Sequence, residues 1–518
     1  VSYTSIAFFL FLGIVAVLYF VVPKNRRWII LLAASYAFYG AVSLKLMLFL
    51  LFTTITTFLS AHHIKRAEAS PDDLAPDERK TQQIRIKHRK RRRLALCLVV
   101  NIGILVFFKY ANFAVSSLSA LFGLSVGGLN LIVPLGISFY TFQSAGYVID
   151  VYRGKVAPDT NLAKYALFVS FFPQIVQGPI GRYDALAPQL YAGHDWDAIR
   201  AKDAIQIMLW GLFKKLIIAD RAAVLVNQVF SDYTAYSGAI MFVAVLCYSV
   251  MIYCDFSGGI DISIGAAKLL GIELEPNFRR PFFADSVADF WRRWHITLGS
   301  WLRDYLFYPI SLSKPMGRFS RLCRKRFGND VGKLIPACTA TFIVYLVVGA
   351  WHGAGWKYTA FGLYNSVIIT SSLFLEALYS RWRGRFTFTD GKTYHVFRVL
   401  RTLLLVCLGR YFTRAGSFRA ALSMLKTTFT SFGVRSLTDG TLLRLGLTGV
   451  DFIILGASLV VLFAADGATE RGVDIKSRLD RKPFALQWFV ILAALCAIVF
   501  LGIYAGGYID TEFIYAQF

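Results

Sequence analysis

The stretch Gly349-Ala350-Trp351-His352-Gly353-Ala354-Gly355-Trp356 sets a histidine between two apolar segments, Ala340 to Val348 before it and Tyr358 to Leu375 after it. An ionisable side chain at membrane depth is costly to keep and by default marks a function. Glycines around it let other atoms come close. Burial disfavours the imidazolium, so such a place would hold a neutral ring able to accept a proton near pH 7. The bland reading is a satisfied core histidine. A second one, His295, lies between Asp289 and Pro309. There Trp291, Trp294, Leu298, Trp301, Leu302 and Tyr305 make one stripe at helical spacing, and Arg292, Arg293 and Arg303 fall off it. That is the make-up of a helix lying in the membrane interface, which explains the tryptophans and arginines but not His295 on its apolar side. The remaining histidines (His62, His63, His88, His194, His395) fall in loops or loop edges, where a solvated side chain is the default. Two histidines without a third nitrogen, sulfur or placed carboxylate make no zinc site, and neither a nucleophile elbow nor a phosphate loop is present. The seven cysteines show no metal or disulfide spacing. What remains is base chemistry, and a base that strips a proton from a hydroxyl attacking a thioester fits.

The elements that position these residues are read from composition and hydropathy. Of the 518 residues 56% are hydrophobic, and the mean hydropathy is +0.54, which excludes an ordinary soluble chain. The fold class is all-α, a polytopic membrane bundle treated as a single domain over 1–518. With about 20 apolar residues per span, about 11–12 transmembrane helices are expected. They fall near 5–22, 28–42, 44–62, 94–112, 130–150, 205–229, 238–256, 333–350, 356–378, 396–412, 449–465 and 486–506. The net charge of +25 would suggest nucleic acid in a soluble protein, but the basic residues cluster between apolar segments, as the positive-inside rule predicts, so no nucleic acid is expected. Segment 63–93, with the run Lys87 to Arg93, reads as a cytoplasmic basic loop against anionic lipid, and 257–332 as a cytoplasmic-side interfacial segment. Between Phe168 and Tyr183, two prolines and two glycines interrupt an apolar helix. This is either a re-entrant element lining a pocket or a kink needed for packing.

Taken together, Phe290-Trp291-Arg292-Arg293-Trp294-His295-Ile296, Trp301-Leu302-Arg303-Asp304-Tyr305 and Trp351-His352-Gly353-Ala354-Gly355-Trp356 resemble the membrane-bound O-acyltransferase family, in its bacterial branch. Gln177-Gly178-Pro179-Ile180-Gly181-Arg182-Tyr183, Tyr253-Cys254-Asp255-Phe256-Ser257-Gly258 and the ending Phe513 to Phe518 are similar to further elements of that family. Gly259-Ile260-Asp261 departs from its usual Tyr-Ser-Asp, and Ser311 to Lys314 from its Gly-Gly-Asn-Arg. The resemblance implies re-entrant and interfacial helices around a central tunnel, with His352 and His295 catalytic, and leaves open which removes the proton. It also implies substrate contacts from Trp351, Trp294, Trp291, Arg303, Asp304, Asp255, Ser257, Gln177 and Arg182. No bound cofactor or metal is implied. The co-substrate is an acyl thioester donor, acetyl-CoA or an acyl carrier protein, on the cytoplasmic side of a bacterial inner membrane. The acceptor is an envelope or exported polysaccharide, reached directly or through a second, extracytoplasmic acyltransferase. The acyl group is acetyl, with D-alanyl transfer to teichoic acid as the alternative. A polysaccharide or lipid-linked sugar transporter is a further reading, but no repeat relates the two halves of the chain. A scaffold docking a soluble enzyme is the third.

Overall fold

The computed structural model describes residues 2–67, 76–123, 127–129, 131, 134, 136–386 and 391–504. Among them the backbone is helical and forms no strand, only a bridge between Phe278 and Trp294, so the expected all-α membrane bundle holds. Seven described helices are long and apolar enough to cross a membrane: Leu44–Arg66, Asp77–Phe122, Gly238–Leu269, Lys314–His352, Trp356–Glu376, Gly449–Glu470 and Phe484–Leu501. Ile6–Val21 is apolar but shorter. The other expected spans are helical yet interrupted, short or charged. Arg27–Val42 has 16 residues and Ile137–Arg153 has 17, while Lys392–Arg414 carries Arg398, Arg401, Arg410 and Arg414.

The chain divides into two compact units. The first comprises Val1–Met208 and Ile260–Glu275. Its helix ends are closed by side chains, since terminal carbonyls and amides have no partner within the helix. Arg27 donates through Nε to Val22 O at 2.9 Å and through Nη2 to Phe20 O at 3.1 Å, closing Ile6–Val21, and Ser43 Oγ caps Leu44–Arg66 by accepting from Leu46 N. The interrupted stretch resolves into Leu162–Ser170 and Phe172–Ile175, with Pro173 in the first turn of the latter, where its missing N–H costs nothing. Groups freed by the break find protein partners. Gln143 Nε2 donates to Phe168 O (2.5 Å), Tyr3 OH to Phe172 O (2.8 Å), and Phe172 N to Ser35 Oγ (3.1 Å). Gly136, at φ 69°, admits this element closely, since a Cβ there would stand 2.2 Å from Ile175 O. Within this unit the broken helix lines a void of about 10 Å³, room for one water at most.

The described part of the basic segment is helical. Lys87 to Arg93 continue the helix Pro76–Phe122, and residues 68–75 lie outside those described. The run has no helix breaker and leads directly into the apolar span it flanks.

The second unit comprises Leu209–Gly259 and Pro276–Phe518. Its core gathers Ile218, Leu225, Val226, Ile240, Tyr248 and Trp294. Two segments wind as π-helix, Phe213–Ala219 and Arg303–Phe307, a form frequent at functional sites. Lys314–His352 packs against Trp356–Arg385 at a glycine contact. A Cβ on Gly349 would meet Tyr358 O at 2.4 Å and Gly362 Cα at 3.0 Å. The motif glycine is therefore used for helix approach, and this sets the position of the histidine three residues on.

Candidate active site

His295 does not sit on a helix, as the aromatic spacing suggests. The stripe breaks into Val287–Arg293 and Ile296–Leu302, and His295 joins them in the left-handed region at φ 49°. An L-residue adopts this conformation at a cost, so its surroundings must hold it. They do so through the preceding strand-like arm: Arg279 N donates to Arg293 O and Ile296 N to Asn277 O, each at 2.9 Å. Asn277 then fixes the ring. Its Oδ1 accepts from Thr297 N at 3.0 Å and Thr297 Oγ1 at 2.9 Å, and lies 3.2 Å from His295 Nδ1. A backbone N–H can only donate, so the atom facing Thr297 is the amide oxygen, and His295 Nδ1 must carry the proton. Nε2 is then the basic nitrogen of a neutral imidazole, a ring oriented by a third group in the manner of a catalytic base or metal ligand. The edge of Phe256 stands 4.8 Å away and that of Trp351 5.6 Å. With the ring 2% exposed, burial pushes its pKa down to about 3.

His352 ends the helix Lys314–His352 and is itself buried. Trp351 packs against it at 5.0 Å and Phe361 meets it edge-on at 5.4 Å. A Cβ on Gly353 would lie 2.2 Å from the Tyr358 ring, so the residue after the histidine must be bare for the chain to turn there. Trp351 thus touches both imidazoles. Both also line one cavity of about 600 Å³, together with Trp291, Trp294, Leu298 and Arg303. Trp291 is held by its Nε1 donating to Asn365 Oδ1 at 3.0 Å.

The other sequence candidates are placed differently. Asp304 pairs with Arg303 at 2.9 Å and is not part of the cavity wall. Asp255 and Ser257 are buried in a network of their own. Lys215 Nζ lies 2.7 Å from Asp255 Oδ1 and 2.8 Å from Asp220 Oδ1, and Lys214 Nζ donates to Ser257 Oγ at 2.8 Å. Lys214 also stands over the Tyr253 ring, whose hydroxyl donates to Asp466 Oδ2 at 3.0 Å. Both lysines come from the π segment Phe213–Ala219. Gly258 lets its helix approach, since a Cβ there would be 2.7 Å from Gly211 O. Gln177 and Arg182 belong to the first unit, and Gln177 is fully buried. Sequence reasoning missed Asn277, Asn365 and the two lysines. Two adjacent cations inside the apolar stretch 205–229 were the signal for the lysines. Nothing marked Asn277 before the arm folded back.

Two buried imidazoles on one cavity, one of them oriented by Asn277, suit proton transfer to and from bound reactants. The sequence model for the membrane-bound O-acyltransferase family matches residues 29–323, more than half of the chain. The chain belongs to the membrane-bound O-acyltransferase family. The matched residues include His295 and stop short of His352. The chain is 32% identical over 466 residues to the probable alginate O-acetylase AlgI of Pseudomonas aeruginosa, covering 89% of this chain and 80% of that protein. It is similar to the peptidoglycan O-acetyltransferase of Helicobacter pylori, at 32% over 363 residues (65% and 64%). It also resembles the teichoic acid D-alanyltransferase of Bacillus subtilis, at 26% over 296 residues (54% and 69%). The protein is a multi-pass membrane O-acyltransferase. In an acyltransferase, the chemistry required of a site is removal of a hydroxyl proton and return of a proton to the departing group.

Proposed function

We propose that the protein transfers an acetyl group from a cytoplasmic thioester donor to hydroxyls of an envelope or exported polysaccharide, from the bacterial inner membrane. Transfer is direct or passes through a second, extracytoplasmic acyltransferase. The observation that carries this reading is the meeting of His295 and His352 on one cavity, with the His295 tautomer set by Asn277. The acceptor oxygen attacks the thioester carbonyl, its proton passes to His352 as the C–O bond forms, and the C–S bond breaks. The proton then goes to the departing thiolate, leaving ester and free thiol. His295, whose burial makes it a weak base, accepts a hydrogen bond through Nε2 and orients a reactant. Trp291, Trp294 and Arg303 bound the reactants and Trp351 packs against both imidazoles from outside the cavity wall, whereas Asp255 and Ser257 act through the lysine network that braces the π segment. Acetyl is favoured over D-alanyl because the O-acetylase relative matches over 89% of the chain and the D-alanyl relative over 54%.

The test is transfer of labelled acetyl by the purified protein in detergent to a polysaccharide acceptor, alongside mass spectrometry of envelope polysaccharides from cells with and without the gene. A covalent acetyl product dependent on the protein is expected. Movement of polymer without a covalent product would mean a transporter.

A further inference from the structure

Among the described residues, the two non-glycine positions with positive φ are Arg280 at 47° and His295 at 49°. They belong to the two sides of one short bridge, in which Phe278 pairs with Trp294 and Arg279 N donates to Arg293 O. Asn277 holds the His295 side. Arg280 is harder to hold, because Pro281 follows it and a residue before proline is driven toward extended backbone. Such a conformation persists only where its surroundings fix it. The group that does so is Glu470, the last residue of the helix Gly449–Glu470. Its Oε2 lies 2.8 Å from Arg280 Nε, and its Oε1 accepts from Arg293 Nη1 at 2.8 Å. Arg293 is held a second time by Asp289, whose Oδ2 lies 2.7 Å from its Nε. The Arg280, Arg293 and Glu470 side chains are 20%, 15% and 28% exposed, so these pairs are better shielded from water than ordinary surface ion pairs.

The same helix face meets the arm one and two turns earlier. Phe463, Asp466 and Glu470 follow helical spacing and share that face. Phe463 packs on Phe282 at 6.1 Å. Asp466 accepts from the Tyr253 hydroxyl, and the Tyr253 ring meets Phe278 at 5.9 Å and Trp294 at 6.2 Å. The helix end is thus seated along both sides of the bridge, and Glu470 grips the backbone two residues before His295. Resting on the role given to His295 in acyl transfer above, we propose that Glu470 is a positioning residue for this reaction. Its carboxylate ties Arg280 to Arg293 and so keeps His295 left-handed with Nδ1 on Asn277. Glu470 makes and breaks no bond.

The experiment measures transfer from labelled acetyl-CoA to de-O-acetylated envelope polysaccharide by the full-length protein purified into nanodiscs, with rates divided by the folded amount. Glu470→Gln lowers kcat about 10-fold, as for lost orienting partners elsewhere, because the reactant is bound but misaligned. KM for acetyl-CoA stays within about twofold. Glu470→Asp keeps the charge and recovers part of the loss. Coupling to Asn277 separates positioning from general support of the fold. When both residues act through the His295 ring, Asn277→Ala combined with Glu470→Gln loses about as much as Asn277→Ala alone, since groups that act as a unit are not additive. If Glu470→Gln fails to accumulate, Arg280→Gln, which leaves Arg293 with both of its carboxylates, takes its place, with a loss of about 3-fold and the same coupling. Three results overturn the inference while acyl transfer stands: losses that multiply in the double variant, an unchanged kcat, or a raised KM at constant kcat. His295→Asn tests the reading beneath it. Normal transfer in that variant removes the role of His295 and the positioning role of Glu470 with it. Lost transfer in His295→Asn beside normal transfer in Glu470→Gln removes the role of Glu470 alone. No transfer by the unsubstituted protein overturns the acetyl-transfer reading and this inference together.

Discussion

Two buried polar clusters in the second unit look alike in sequence and differ in what surrounds them. Around Asp255 and Ser257, charge meets charge: two lysines from a π segment, two carboxylates on Lys215 and a hydroxyl on Lys214, all packed in protein. Around His295 and His352 the neighbours are aromatic edges, one amide and a cavity of about 600 Å³. A buried ion pair filled by its partners holds a fold in register, and losing one partner strands the other. A neutral, orientable imidazole beside open space keeps its capacity for a reactant. The difference separates the brace from the site, although both sets of residues belong to family-like motifs.

The brace predicts the largest effect. Asp255→Ala leaves Lys215 with a weakened partner set and costs about 3–5 kcal/mol of stability. The observable is loss of folded protein from the membrane, or a large fall in unfolding temperature in detergent. Full activity with unchanged stability would place Asp255 outside the brace. Asn277→Ala lets the His295 ring turn and change tautomer. It should lower kcat by about 10- to 100-fold, as for lost orienting partners elsewhere, while the protein still accumulates. Asn277→Asp, which keeps an acceptor facing Nδ1, should recover part of that loss.

The pH response is smaller and has a defined sign. His295 titrates lower in the fold than in the unfolded chain because it is buried. Its contribution to stability is therefore complete above the unfolded value of about 6.5 and is lost as pH falls from there toward about 3. At pH 5 the loss is about 2 kcal/mol relative to neutral pH. Thermal unfolding of the unsubstituted protein and of His295→Asn at both pH values measures it, and the difference between them should shrink in acid.

Much of the fold class was readable in the chain, and the division between brace and site was not. The apolar runs gave the helical membrane class, and the glycine-flanked His352 was found from the cost of an ionisable group at that depth. His295 was found too, but its backbone was not. Trp291, Trp294, Leu298 and Trp301 keep helical spacing on both sides of the break, so the pattern cannot show that one residue between them is left-handed. Asn277 was hidden because its partners are 18 and 20 positions away and are brought to it only when the arm folds back. Asp255 and Ser257 entered as substrate contacts through the family resemblance alone, and their lysine partners, 40 and 43 positions earlier, went unremarked inside an expected span. Some expected spans, such as 205–229, resolve into shorter helices joined by a π turn.

The most direct test of the central claim is acetyl transfer by purified His352→Ala, with the amount of folded protein in the membrane measured in the same preparations. The account predicts transfer reduced by about 10²- to 10⁴-fold, the usual loss for a missing general base, with accumulation and unfolding temperature close to those of the unsubstituted protein. Normal transfer in that variant would contradict it.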